Sequence, residues 1–190
     1  MAYTNVLELN ADDMQAIRGK ALTGFYLEDY EQAVEYNKKL LEMDATNEHV
    51  QLNLAVSLMN NDEIEEAMSL LFKLNYDHPE NLSIQRSLAW GYLRQQKPQQ
   101  AAPIYTRLLA NQHRMPTDCL NAGYCQWFLS NMEEAINLFK QYVAETNKER
   151  PMPGGNALLH DVFVMDADLL QQYGIGAKEA FVMEDLVANE

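Results

Sequence analysis

Four phrases decide the fold: Tyr30-Glu31-Gln32-Ala33-Val34, Ile64-Glu65-Glu66-Ala67-Met68, Pro98-Gln99-Gln100-Ala101-Ala102 and Met132-Glu133-Glu134-Ala135-Ile136. Their alanines, at 33, 67, 101 and 135, step by 34 residues. A second series of small residues, Ala21, Ala55, Ala89 and Gly123, keeps the same interval twelve positions earlier. A fixed interval of this length is the signature of a stacked repeat. Small side chains are required at both positions because the two helices of a unit cross closely there, and a larger group would push the backbones apart.

Larger apolar residues fill the rest of each interface. Leu54, Leu88, Leu58 and Tyr92 come from first helices, and Leu71, Tyr105, Phe139, Leu40, Leu74, Leu108 and Tyr142 from second helices. Their spacing is helical. Helices are predicted at 14–27 and 30–43, 48–60 and 64–76, 82–95 and 98–111, and 117–130 and 133–147, with turns at Asn60-Asn61-Asp62, His78-Pro79-Glu80-Asn81 and Met115-Pro116-Thr117-Asp118. Pro98 suits a helix start. Pro103 falls inside the predicted helix, where it costs about 3 kcal/mol, so an irregular third unit is expected.

This pattern resembles the tetratricopeptide repeat, and Leu88-Ala89-Trp90-Gly91-Tyr92 and Leu41-Glu42-Met43-Asp44 are similar to that family's phrases. Only Pro79 stands at the family's terminal proline, with Ala45, His113 and Asn147 elsewhere. Lys20, Gly24 and Asn37 depart from the pattern and weaken the first unit. The resemblance implies an all-α, right-handed α-α superhelix of about four helix pairs, 14–47, 48–81, 82–115 and 116–149, after a lead-in at 1–13. Pro151-Met152-Pro153-Gly154-Gly155 ends the pattern. Residues 151–190 are predicted to be a helical extension, two helices with apolar stripes through Leu159, Val162, Phe163, Leu169, Leu170 and Tyr173 and through Val182, Met183 and Leu186, interrupted by Gly174 and Gly176. A repeat array leaves its last apolar edge bare, so this extension is expected to cap it.

The chain has 190 residues, of which 47% are apolar, enough to bury a continuous core. Lys and Arg number 14 against 28 Asp and Glu, a formal charge of −14 that would repel phosphate backbones. Nucleic acid is not an expected partner. No run approaches the roughly 18 apolar residues of a membrane helix, and Met1-Ala2-Tyr3-Thr4-Asn5 does not open a signal peptide, so a cytoplasmic protein with no membrane partner is expected. Cys119 and Cys125 lie on one predicted helix, facing different ways, and do not form a natural disulfide pair.

No catalytic motif is present. His49, His78, His113 and His160 lie on separate elements, without a metal-binding His-Glu-x-x-His or Cys-x-x-Cys spacing. Gly174-Ile175-Gly176-Ala177-Lys178 lacks the spacing and the preceding strand of a phosphate loop, and reads as a helix stop and restart. Glu63, Glu65, Glu66, Glu133 and Glu134 fall in first turns of helices, where carboxylates meet the positive helix end. Neither cofactor nor metal is expected.

By the family's register, the concave face formed by first helices carries Leu52, Val56 and Met59, then Arg86, Trp90, Leu93 and Arg94, then Leu120, Tyr124, Trp127 and Phe128. That face is unusually apolar and holds both tryptophans, which points to a binding surface. The competing reading is burial of these side chains against the extension. Some family members grip a terminal carboxylate through a Lys/Asn/Asn/Lys/Arg constellation. The matching positions are Arg18, Leu22, Asn53, Ser83 and Ser87, of which only Arg18 and Asn53 keep that chemistry. An extended or helical protein segment with apolar anchors fits the groove better. The expected function is a protein-protein interaction module. A secretion-type chaperone for an apolar partner, which the chain resembles in size, acidity and repeats, is the narrower alternative, and an enzyme the distant one.

Overall fold

The computed structural model describes residues 2–149 and 157–189, and among these every regular element is a helix. The helices are α1 (Ala2–Leu9), α2 (Met14–Tyr26), α3 (Tyr30–Met43), α4 (Glu48–Asn60), α5 (Ile64–Asp77), α6 (Leu82–Arg94), α7 (Pro98–Leu109), α8 (Pro116–Phe128), α9 (Met132–Glu149), α10 (Ala157–Met165), α11 (Ala167–Gln172) and α12 (Ala177–Asn189). The break expected at Pro151-Met152-Pro153-Gly154-Gly155 lies outside the described residues. Two compact units divide the chain, one closing at Gly91 and the other opening at Tyr92.

The repeat is written into the caps as well as the core. Asp13 accepts a hydrogen bond from the Ala16 amide at 2.8 Å, Asn47 from that of Val50 at 3.2 Å and Asn81 from that of Ile84 at 3.3 Å, each at the start of a first helix. The next position in this series is Met115, which has no oxygen to offer. There Asp118 reaches back and accepts from the Met115 amide at 2.8 Å. First helices also end alike. Glu28, Asp62, Gln96 and Ser130 all have positive φ, 57–64°, and the following amide of Asp29, Glu63, Lys97 or Asn131 donates to the carbonyl of Gly24, Leu58, Tyr92 or Gln126. This left-handed residue reverses the chain into the second helix, and it is a conformation that glycine adopts with least strain. Glu28→Gly and Ser130→Gly are each expected to raise stability by about 0.5–1 kcal/mol, read from urea unfolding midpoints. Unchanged midpoints would show that the side chains already offset the strain.

Every small residue of the two series is inside. Ala33, Ala67, Ala101, Ala135, Ala55 and Ala89 have no exposed surface, and Ala21 keeps only 4%. In the first unit, α3 packs on α2 and α4, and α4 on α5. Ile17, Leu40 and Val50 form a core cluster against which Leu7, Tyr36 and Leu41 close. The lead-in expected at 1–13 is thus a helix, α1, seated on α2. Tyr3 lies so close over Gly19 that a Cβ there would meet its ring at 2.4 Å.

In the second unit, α7 and α9 both pack on α8. Pro103 does not break α7, contrary to the expected irregularity. Its ring is exposed, so the Gln99 carbonyl that loses its amide partner can be hydrated, while Pro98 occupies the first turn, where no amide is missed. The helix is nonetheless the shortest of the four second helices, with 12 residues. The extension forms three helices where two are predicted, because Asp166 interrupts the first stripe. Helices α10 and α12 both pack on α9, so the extension covers the end of the array as expected.

Candidate functional site

The first unit holds a cavity of about 320 Å³. Its walls are the stripes of α2, α4 and the start of α6 that the repeat register turns to one face: Arg18, Leu22 and Tyr26, then Leu52, Asn53 and Val56, then Ser83 and Ser87. All five positions matched to the carboxylate-gripping constellation are among them. The floor explains the space. Leu71, Tyr105 and Phe139 occupy one interior position in later repeats, and the first repeat has Asn37 there. Asn37 is buried, donating through Nδ2 to the Ala33 carbonyl at 2.9 Å and to Ser57 Oγ at 3.4 Å, and it leaves unfilled the volume an aromatic ring would take. Leu22, 44% exposed, and half-buried Leu52 and Val56 give the cavity an apolar centre, with exposed Arg18 and Asn53 beside it.

Tyr26 is not among the contacts expected from sequence. It stands at the same register as Arg94, two repeats earlier, so extending the series that includes Arg94 reaches it.

The remaining predicted contacts divide. Met59 is buried and would touch a Cβ placed on Gly91, which makes it a core residue. Arg86 and Trp90 are half-buried on α6, outside this cavity, and both have other partners. In the second unit, Leu93 and Leu120 are buried. So are Tyr124 and Trp127, which corrects the expectation of an open aromatic face. Phe163 of α10 sits among them, its ring centroid 5.8 Å from Tyr124, 5.5 Å from Trp127 and 5.3 Å from Phe139. Phe128 is stacked beneath Tyr173 with centroids 3.5 Å apart. Burying this many rings against the extension removes more apolar surface from water than leaving them to line a groove.

Polar groups fix that docking. Tyr124 Oη donates to Asp166 Oδ2 at 2.8 Å, and Tyr173 Oη donates to the Leu93 carbonyl at 2.7 Å. Burial pushes the Asp166 carboxyl above its ordinary range, opposed by the hydrogen bond from Tyr124 and the charge of Arg94. A carboxyl whose pKa rises on folding stabilises the fold as pH falls through the folded value, and its charged form is a cost above it. Asp166→Asn keeps an acceptor for Tyr124 and removes the charge. It is expected to raise the Tm at pH 7 by about 2–4 °C and to shrink the gain on acidification. A lower Tm at pH 7 would show that Arg94 outweighs burial.

Both cysteines are free and buried. Burial pushes the Cys125 thiol up to about 12, which leaves it protonated and unreactive at neutral pH. Among the described residues no group of three histidine, cysteine or carboxylate side chains could hold a metal ion, and no helix is long and apolar enough to cross a membrane.

These helix pairs, with their recurring caps and turns, define a helical repeat protein. Tetratricopeptide repeat family models match residues 25–90 and 86–118, and that stretch of the chain consists of tetratricopeptide repeats. No curated protein sequence matches it. Among solved structures, MamA MSR-1 is similar at 20% identity over 92% of this chain and 96% of its own, with a TM-score of 0.60. A tetratricopeptide repeat protein from Parabacteroides merdae is similar at 15% identity over 98% of this chain and 62% of its own, with a TM-score of 0.66. YrrB, described as a TPR protein with an unusual peptide-binding site, is similar at 18% identity over 100% and 92%, with a TM-score of 0.58. At these identities the likeness concerns the fold.

Proposed function

We propose that this chain is a protein-interaction scaffold, acting by binding and not by catalysis, and that a partner polypeptide segment with apolar anchors lies in the cavity of its first unit. The observation that carries this reading is the cavity itself. Leu22 and Val56, at one register of successive first helices, and Leu52 beside them offer an apolar centre, while Arg18, Asn53, Ser83 and Ser87 offer polar groups around it. Few polar groups around an apolar cleft are the usual composition of a binding site. The peptide-binding site named for YrrB supports the same reading by analogy of fold.

Capture of partners from the native cell, quantified by mass spectrometry, tests it with two variants. Arg18→Glu alters an exposed side chain, and Val56→Glu puts a charge at the apolar centre. Each is expected to lower capture of the principal partner about tenfold or more, with unchanged helicity and Tm for Arg18→Glu. Equal capture by both folded variants would overturn the site.

A further inference from the structure

A second cavity, about 450 Å³, lies wholly within the extension, where α10, α11 and α12 meet. Its floor is Phe163, Leu170 and Ala180, all buried, and its mouth is flanked by Val164 and Phe181, which are 61% and 67% exposed. Small residues, Ala167, Gly176 and Ala177, keep the slot open along its length. Large side chains are therefore held outward at the edges of a groove that the chain's own helices do not fill.

The charge of the extension is one-sided. Residues 157–189 carry six carboxylates, Asp161, Asp166, Asp168, Glu179, Glu184 and Asp185, against the single ammonium of Lys178. Glu184 lines the groove with a side chain only 14% exposed, and it meets His160 Nδ1 of α10 at 3.2 Å. An imidazole is a counter-charge only when protonated, so this carboxylate is a natural seat for a permanent cation.

We infer that this groove is an interaction surface for a basic amphipathic helix of a partner protein. Such a helix would place apolar side chains at i, i+3 or i+4, and i+7 between Val164 and Phe181, with Lys or Arg on its flanks, one of them reaching Glu184. A helix suits a slot whose walls are helices. Charge decides between occupants. A second copy of this chain would bring the same acidic extension and a formal charge of −14, and like charges across an interface are repulsive. This surface is separate from the cavity of the first unit and does not depend on a segment being bound there.

The test uses the full chain and a displayed library of helical peptides about 14 residues long, randomised at surface positions to allow both signs of charge. Clones are counter-selected against a Val164→Asp/Phe181→Asp variant, whose changes are at exposed positions and whose fold is checked by circular dichroism. Groove-dependent clones are expected to carry net positive charge with apolar residues at helical spacing. They should lose on the order of tenfold in affinity on Glu184→Gln, weaken with added salt, and be indifferent to Arg18→Glu. Neutral or acidic groove-dependent clones, or no clone sensitive to the double variant, would overturn the inference. So would a self-association of the chain by sedimentation that the double variant abolishes.

Discussion

Phe163→Ala is expected to destabilise the chain by about 3–5 kcal/mol, a loss at the upper end for a single core side chain. Phe163 is 3% exposed and stands within ring contact of Tyr124, Trp127 and Phe139. Truncation would leave a void lined by three rings that are held from other sides, Phe139 having no exposed surface at all, so collapse into the space is restricted. The loss should therefore approach the full transfer and cavity cost. Urea unfolding measures it. Tryptophan emission locates it, because Trp127 would move from a dry contact toward water and become accessible to a quencher. A loss under about 1 kcal/mol would mean that the extension adheres through α12 alone and that Phe163 is not its anchor.

That prediction reverses a reading drawn from the repeat register. The register groups Tyr124 and Trp127 on one face of α8, but a repeat pattern describes only units that share it, and nothing in the 34-residue interval reports what a non-repeating segment will cover. The apolar stripes of the extension are legible in sequence; the face that receives them is one of two open alternatives. Where each unit's own chemistry sets the structure, the sequence is sufficient. The buried alanines are periodic and helix limits fall within two residues of the expected ones, while the caps at 13, 47 and 81 and the left-handed residues at 28, 62, 96 and 130 keep the same interval without one shared residue type to announce them. The exception is α1, whose eight residues offer barely two turns, too few for Tyr3, Val6 and Leu7 to establish a period. The first-unit cavity is half legible. Its wall residues follow from the register, but its volume comes from Asn37, a substitution that reads in sequence as a defect.

Gly24 likewise reads in sequence as a weakness, and the structure gives it a positive role. A Cβ on Gly24 would lie 2.9 Å from both the Ala33 amide nitrogen and the Asp29 carbonyl oxygen. These are backbone atoms at the start of α3, which cannot swing aside as a side chain can. Leu58, Tyr92 and Gln126 hold the corresponding position in later repeats with the same turn, so the turn itself admits a side chain. The constraint is how closely α2 meets α3. Gly24→Ala is expected to cost about 1–3 kcal/mol, since it must push α2 and α3 apart around the buried contacts of Ala21 and Ala33. Two other glycines calibrate the result. A Cβ at Gly91 would meet Met68 Sδ at 2.3 Å, but that is the movable end of a flexible side chain, so Gly91→Ala should cost less. Gly174 has φ +75° and open space around it, so Gly174→Ala should show only the backbone penalty of about 1 kcal/mol. Unfolding midpoints that rank Gly24→Ala as the mildest of the three would show that α2 and α3 can separate freely, and that the first unit tolerates the spacing of its neighbours.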